Sequence, residues 1–125
     1  MFDALNASAS GLEAAGALLS TAARNLANLN TAGYQSQSVN LGEAPGAAGS
    51  GVDIVDITSL PSAAGASETS NVDPALQAIN LQKAKLLYGV NGAAIRVQNR
   101  AFGSLIDMLD HEKKHPADQS TDSQP

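Results

Sequence analysis

Leu5, Leu12, Leu19 and Leu26 recur at a strict seven-residue spacing, and Ser8, Ala15, Ala22 and Leu29 each follow three residues later. Apolar and small positions spaced three and four apart over nearly four heptads predict a helix with an a/d seam for a partner helix. Asn6 or Ser8 suits the N-cap. Gly11 and Gly16 each cost about 1 kcal/mol relative to alanine inside a helix, so this helix needs a partner. It is expected to stop at Asn30-Thr31-Ala32-Gly33, with Gly33 suited to a left-handed cap. The first segment is thus residues 1–33.

Residues 34–70 lose that periodicity. GEAPGAAGSG and SLPSAAGASETS are small, polar and turn-forming, and read as loop. Between them GVDIVDIT places Val52, Ile54 and, less regularly, Ile57 on one side of a short strand. One strand buries little, so it is expected to pair with a neighbouring element or another subunit. Helical spacing returns over residues 71–110, with Asp73 as N-cap and Pro74 at the first helical position. One apolar stripe runs through Leu76, Ile79, Leu86, Val90, Ala94, Val97, Ala101, Leu105 and Met108. A second runs through Leu81, Ala84, Tyr88, Ile95, Phe102 and Leu109, on nearly the opposite face. A helix apolar on two faces is not satisfied by one partner. Residues 74–110 would span roughly 55 Å as a helix, against a radius of gyration of about 14 Å for a compact chain of this size. Either the helix breaks at Gly89-Val90-Asn91-Gly92 and folds back, or it is continuous and the molecule elongated; the pattern favours continuity. The polar tail, residues 111–125, is expected to be disordered. The fold class expected is mainly α: elongated N- and C-terminal helices pairing as a coiled coil, with a short β/loop segment between them.

Composition narrows the function. The chain has 125 residues, 3% aromatic and none of them Trp, so alanine, glycine and leucine must supply its contacts. A net charge of −5 argues against nucleic acid, because little here would neutralise phosphates. No cysteine is present, which removes disulfides and thiolate chemistry. No stretch reaches the length of a membrane-spanning helix. MFDALNASAS has neither the basic nor the apolar region of a secretory signal, so these rules alone would suggest cytoplasm. His-Glu-Lys-Lys-His, residues 111–115, matches the zinc-peptidase pattern H-E-x-x-H. Its context is wrong: no third ligand follows, and Pro116 comes next. It reads as a charged helix end, where His111, Lys113, Lys114 and His115 favour the dipole. No phosphate-binding glycine loop or carboxylate pair stands out. No enzyme, cofactor, metal or small-molecule substrate is expected.

The remaining feature is Arg24 to Gln35, RNLANLNTAGYQ. Asn25 and Asn28 share a helix face. They read either as a solvated face running into a cap, or as amides that bond a neighbouring helix or loop and fix its register. The wider stretch Ser10 to Leu41 closely resembles the N-terminal motif of the flagellar basal-body rod and hook protein family. The motif is present as Ser10-Gly11-Leu12, Asn25-Leu26-Ala27-Asn28, Asn30-Thr31 and Gly33-Tyr34. Gly51-Val52-Asp53-Ile54-Val55 is similar to the short strand of the small proximal rod proteins, and Ser70-Asn71-Val72-Asp73 to the start of their C-terminal helix. Tyr88 and Asn91 fit a Tyr-x-x-Asn pattern in that helix. The resemblance runs from Leu5 to Leu109.

The resemblance implies a structural subunit whose terminal helices pair as a coiled coil and stack helically into the rod of the basal body, in the periplasm. It implies export by the flagellar type III apparatus without a cleaved signal. The implied partners are copies of itself, other flagellar rod proteins and the export apparatus, with no nucleic acid, no small-molecule substrate and no membrane insertion. The expected seam and subunit interface comprise Leu5, Leu12, Leu19, Leu26, Asn25, Asn28 and Tyr34, with Leu86, Tyr88, Asn91, Ile95 and Phe102 from the second helix. Tyr34 and Tyr88 read as core or interface, interface preferred. The segment SLPSAAGASET is shorter than its counterpart in proximal rod proteins, and the tail after Leu109 is additional. These departures leave a second reading open: a cytoplasmic coiled-coil adaptor descended from a rod protein.

Overall fold

The computed structural model of the chain describes residues 2–44, 51–61 and 69–114. It is mainly helical, with two helices and a two-stranded sheet. The order is α1 (Phe2–Ala27), β1 (Gln37–Glu43), β2 (Val52–Ser59) and α2 (Pro74–Lys114). Contacts divide the chain into two units, Met1–Ile95 and Arg96–Pro125. The described part of the second unit is the C-terminal portion of α2.

α1 begins at Phe2, so Asn6 and Ser8 lie inside it rather than capping it. The Ser8 hydroxyl donates to the Ala4 carbonyl one turn back, as serines inside helices do. The buried side of α1 is Ser8, Gly11, Ala14, Ala15, Leu18, Thr21, Ala22 and Asn25. The leucine row stands beside it: Leu5, Leu12 and Leu26 are half-buried, and Leu19 is 50% exposed. The small residues of the expected seam therefore turn inward and the leucines lie at its margin. Close approach explains this. A Cβ at Gly11 would stand 2.5 Å from Asn91 Nδ2 of α2, so a larger residue would force the Asn91 side chain out of its place. The matching row on α2 is equally small or polar, with Gln77 and Ala84 buried and Asn91 half-buried at seven-residue intervals. Asn25 meets Gln77 and Gly11 meets Asn91, so the two helices run side by side in opposite directions. Among the described residues the buried apolar set is Ala14, Ala15, Leu18, Ala22, Val72 and Ala84, four alanines among six.

α1 ends at Ala27, earlier than the expected stop at residues 30–33. Two turns follow, closed by Thr31 N–H to the Asn28 carbonyl (3.0 Å) and Tyr34 N–H to the Thr31 carbonyl (3.2 Å). Gly33 does take a left-handed φ of 69°, as the third residue of the second turn rather than as a helix cap. Glycine takes that positive φ without a Cβ clash.

β1 is an element the sequence pattern did not announce. It pairs antiparallel with β2, Val39 opposite Ile57 and Leu41 opposite Ile54. The expected strand thus finds a neighbouring element of its own chain. The register shifts after Asn40, which faces Asp56, so Val55 is left over as a bulge. The bulge absorbs the three-residue step from Ile54 to Ile57 and keeps both on the side of Val39 and Leu41.

Asp73 caps α2 as expected: its Oδ1 accepts from Ala75 N–H at 2.8 Å and from Leu76 N–H at 3.3 Å. The helix runs unbroken through Gly89 and Gly92 to Lys114. Two glycines cost about 2 kcal/mol together, and good helix formers on either side outweigh that. Residues 111–114 are therefore helix rather than tail, with His111, Lys113 and Lys114 in the last turn. The expectation of disorder from residue 115 onward lies outside the described residues.

Candidate functional site

The C-terminal end of α1 carries the feature with the most polar structure. Asn25 is fully buried. Its Nδ2 donates to the Gln37 carbonyl at 2.8 Å and to Gln77 Oε1 at 3.1 Å. Its Oδ1 accepts from Gln37 N–H at 2.8 Å and from the Tyr34 hydroxyl at 3.1 Å. An asparagine amide has two donor hydrogens and two acceptor lone pairs, and all four are used. The backbone of Gln37 fixes which end is oxygen, since its N–H can only donate and its carbonyl only accept. One side chain thus ties α1 to the turn at Tyr34, to the first residue of β1 and to the first turns of α2.

A second amide works beside it. Asn71 Oδ1 accepts from Ser36 N–H at 2.6 Å, and its Nδ2 donates to the Leu60 carbonyl at 2.9 Å. Leu60 N–H donates to the Ser36 carbonyl at 2.8 Å, closing the open end of the hairpin. Asn25 and Asn71 hold consecutive residues, Gln37 and Ser36. Asn25 and Ser36 are buried, and buried polar groups paired in this way specify one arrangement, because any slip strands them away from water.

Asn28, one turn along, behaves differently. Its Nδ2 donates to the Arg24 carbonyl at 2.9 Å and its Oδ1 accepts from the Thr31 hydroxyl at 3.2 Å. These bonds are local and finish the helix end. Only Asn25 of the pair reaches another element.

The other end of the hairpin is anchored on α1. Ser10 Oγ donates to the Ala7 carbonyl at 3.0 Å and accepts Val52 N–H at 3.1 Å. Gly51 precedes that contact with φ of 131°, and a Cβ there would collide with Ser10 Oγ. Both the backbone angle and the space require glycine.

The expected interface residues therefore separate. Asn25 and Tyr34 join one junction inside the chain. Asn91 lies against Gly11, with its Nδ2 also donating to the Leu87 carbonyl at 2.8 Å. Leu5, Leu12, Leu26, Ile95 and Phe102 are half-buried, while Leu19, Leu86 and Tyr88 are exposed. Ser36, Gln37 and Gln77 were not singled out from sequence. Gln77 carried a signal: it stands seven residues before Ala84 and fourteen before Asn91, on the packed face.

Among the described residues no three His, Asp or Glu side chains gather as a metal site; His115 lies outside those residues. Among them no helix is long and apolar enough to cross a membrane. No model of a known protein family matches the chain, and no curated protein matches it.

Proposed function

We propose that this chain is a structural subunit of the bacterial flagellar basal-body rod, assembling helically through its two helices, which pair as a coiled coil. The observation that carries the reading is an inversion of ordinary burial. Among the described residues the chain buries mainly alanines and leaves many large aliphatic residues exposed: Ile79 is 61%, Leu86 67% and Val90 58% exposed. Scattered exposed leucines are unremarkable, but several large apolar residues along one helix face mark a contact surface. In a subunit built for a tube wall, the small face of α2 meets its own α1 and the large face meets neighbours. The resemblance of Ser10–Leu41 to the rod motif supports this, as does the arrangement of its residues. Asn25, Gly33 and Tyr34 act together in one turn-and-junction, which gives that spacing a physical reason.

The location in the basal body, the export route and the rod partners follow from the same proposal. The shortened segment before α2 favours the second reading, a cytoplasmic coiled-coil adaptor. Isolated chains distinguish them. A rod subunit deprived of neighbours unfolds at low temperature over a broad range, with fast amide exchange along α2. A stable, cooperatively unfolding species with both helices protected from exchange contradicts the rod reading and supports the adaptor.

A further inference from the structure

Charge is segregated along this chain. From Pro74 to Ile106 the only charged residues are Lys83, Lys85, Arg96 and Arg100, all basic. The two hairpin strands carry Glu43, Asp53 and Asp56 and no base. Two local features give this segregation a shape.

The first is the bulge. Val55 has no partner across the ladder. Its side chain lies over Gly42, where an added Cβ would come within 2.7 Å of Val55 Cγ2. The glycine makes room for it, and the valine is still 67% exposed. It stands between two exposed carboxylates, Asp53 and Asp56. The result is an apolar knob with an acidic residue on each side.

The second is on α2. Leu86, Gly89, Val90 and Ala93, with Gln82 and Lys85, line a shallow depression. A Cβ at Gly89 would meet nothing within 4 Å among the described residues, so none of them requires glycine there. A glycine inside a helix weakens it, and close approach by another chain is a reason to keep one. Lys83 and Lys85, both exposed, lie on the two sides of this row.

We propose that the hairpin of one copy docks on α2 of a second copy, with Val55 over Gly89 and the carboxylates of Asp53 and Asp56 meeting Lys83 and Lys85. This rests on the reading of the chain as a self-assembling subunit and supplies the contact that reading lacks. The lengths agree: β2 spans about 23 Å at a strand's rise, and Ile79 to Ala93 about 21 Å at a helix's. The two surfaces are different parts of the molecule. Each docked copy keeps one free hairpin and one free helix face, so the contact propagates instead of closing on a dimer.

The absence of cysteine makes the test direct. A Val55→Cys variant and an Ala93→Cys variant are mixed under mild oxidation. The expected principal product is the mixed disulfide between the two. Adding Asp53→Lys and Asp56→Lys to the first variant lowers its yield about tenfold, and Lys83→Glu with Lys85→Glu in the second restores it. All four charges are at exposed positions, and circular dichroism verifies that the variants keep their helix. A product dominated by like-with-like disulfides, no product, or a yield indifferent to the charges overturns the docking. Repeating the pair in cells separates the two readings. Chains recovered in basal bodies without the mixed disulfide overturn the docking and keep the subunit. The mixed disulfide in purified protein, with no chain in basal bodies, keeps the docking and overturns the rod.

Discussion

Asn25 and Asn28 are one helical turn apart and chemically identical, and the structure assigns them unequal energies. Asn25 is buried with four partners, two of them backbone groups of Gln37. Asn25→Ala would leave Gln37 N–H and carbonyl, Gln77 and the Tyr34 hydroxyl without their partner, for a loss of about 3 kcal/mol. With so few large side chains in the interior, that loss is enough to abolish a thermal transition followed by circular dichroism. Asn28 makes only local bonds. Asn28→Ala costs about 1 kcal/mol or less, as for other helix-end hydrogen bonds. Equal losses would show that the Asn25 network is not what holds the junction. Tyr34→Phe removes a single bond to Asn25 Oδ1 and costs about 1 kcal/mol in the same assay. The sequence raised both asparagines as contact candidates. It could not rank them, because the ranking depends on where the Thr31–Tyr34 turn delivers Gln37.

Among the elements, legibility followed the strength of local chemistry. Asp73-Pro74 announces α2 because a carboxylate cap and a proline at the first helical position are both local effects. β1 was silent because only Val39 and Leu41 alternate within Gln37–Glu43, too few apolar positions to signal a strand without its partner. The irregular step from Ile54 to Ile57 was visible, and its cause, the Val55 bulge, was not. The α1 seam shows the limit of periodicity. Seven-residue spacing located the helix but not its rotation, since both the leucine row and the small-residue row repeat every seven. Helix–helix distance at Gly11 and Asn91 decided in favour of the small row. Where a helix glycine meets nothing, the opposite substitution is favourable. Gly16→Ala is therefore expected to stabilise the isolated chain by about 1 kcal/mol, read as a higher melting temperature. Gly11→Ala, forced against Asn91, should destabilise it. A stabilising Gly11→Ala would mean the two helices are not held at that distance.

At the scale of the molecule, neighbouring leucines report folding and assembly separately. Leu18 is 8% exposed and Leu19 50%. Leu18→Asp buries an unpaired charge and unfolds the chain. Leu19→Asp is expected to leave most of the isolated chain's helix content and to abolish swimming, because its larger cost arises where a neighbour covers the exposed half of the leucine. Normal swimming in Leu19→Asp cells would remove that residue from the subunit contact. We propose that this chain exposes its apolar face because it serves as a rod subunit. The most direct measurement is mass spectrometry of purified hook–basal bodies from the cell that makes it, compared with that cell's cytosol. A rod subunit is enriched in the basal bodies; retention in the cytosol, with none in the basal bodies, would contradict the proposal.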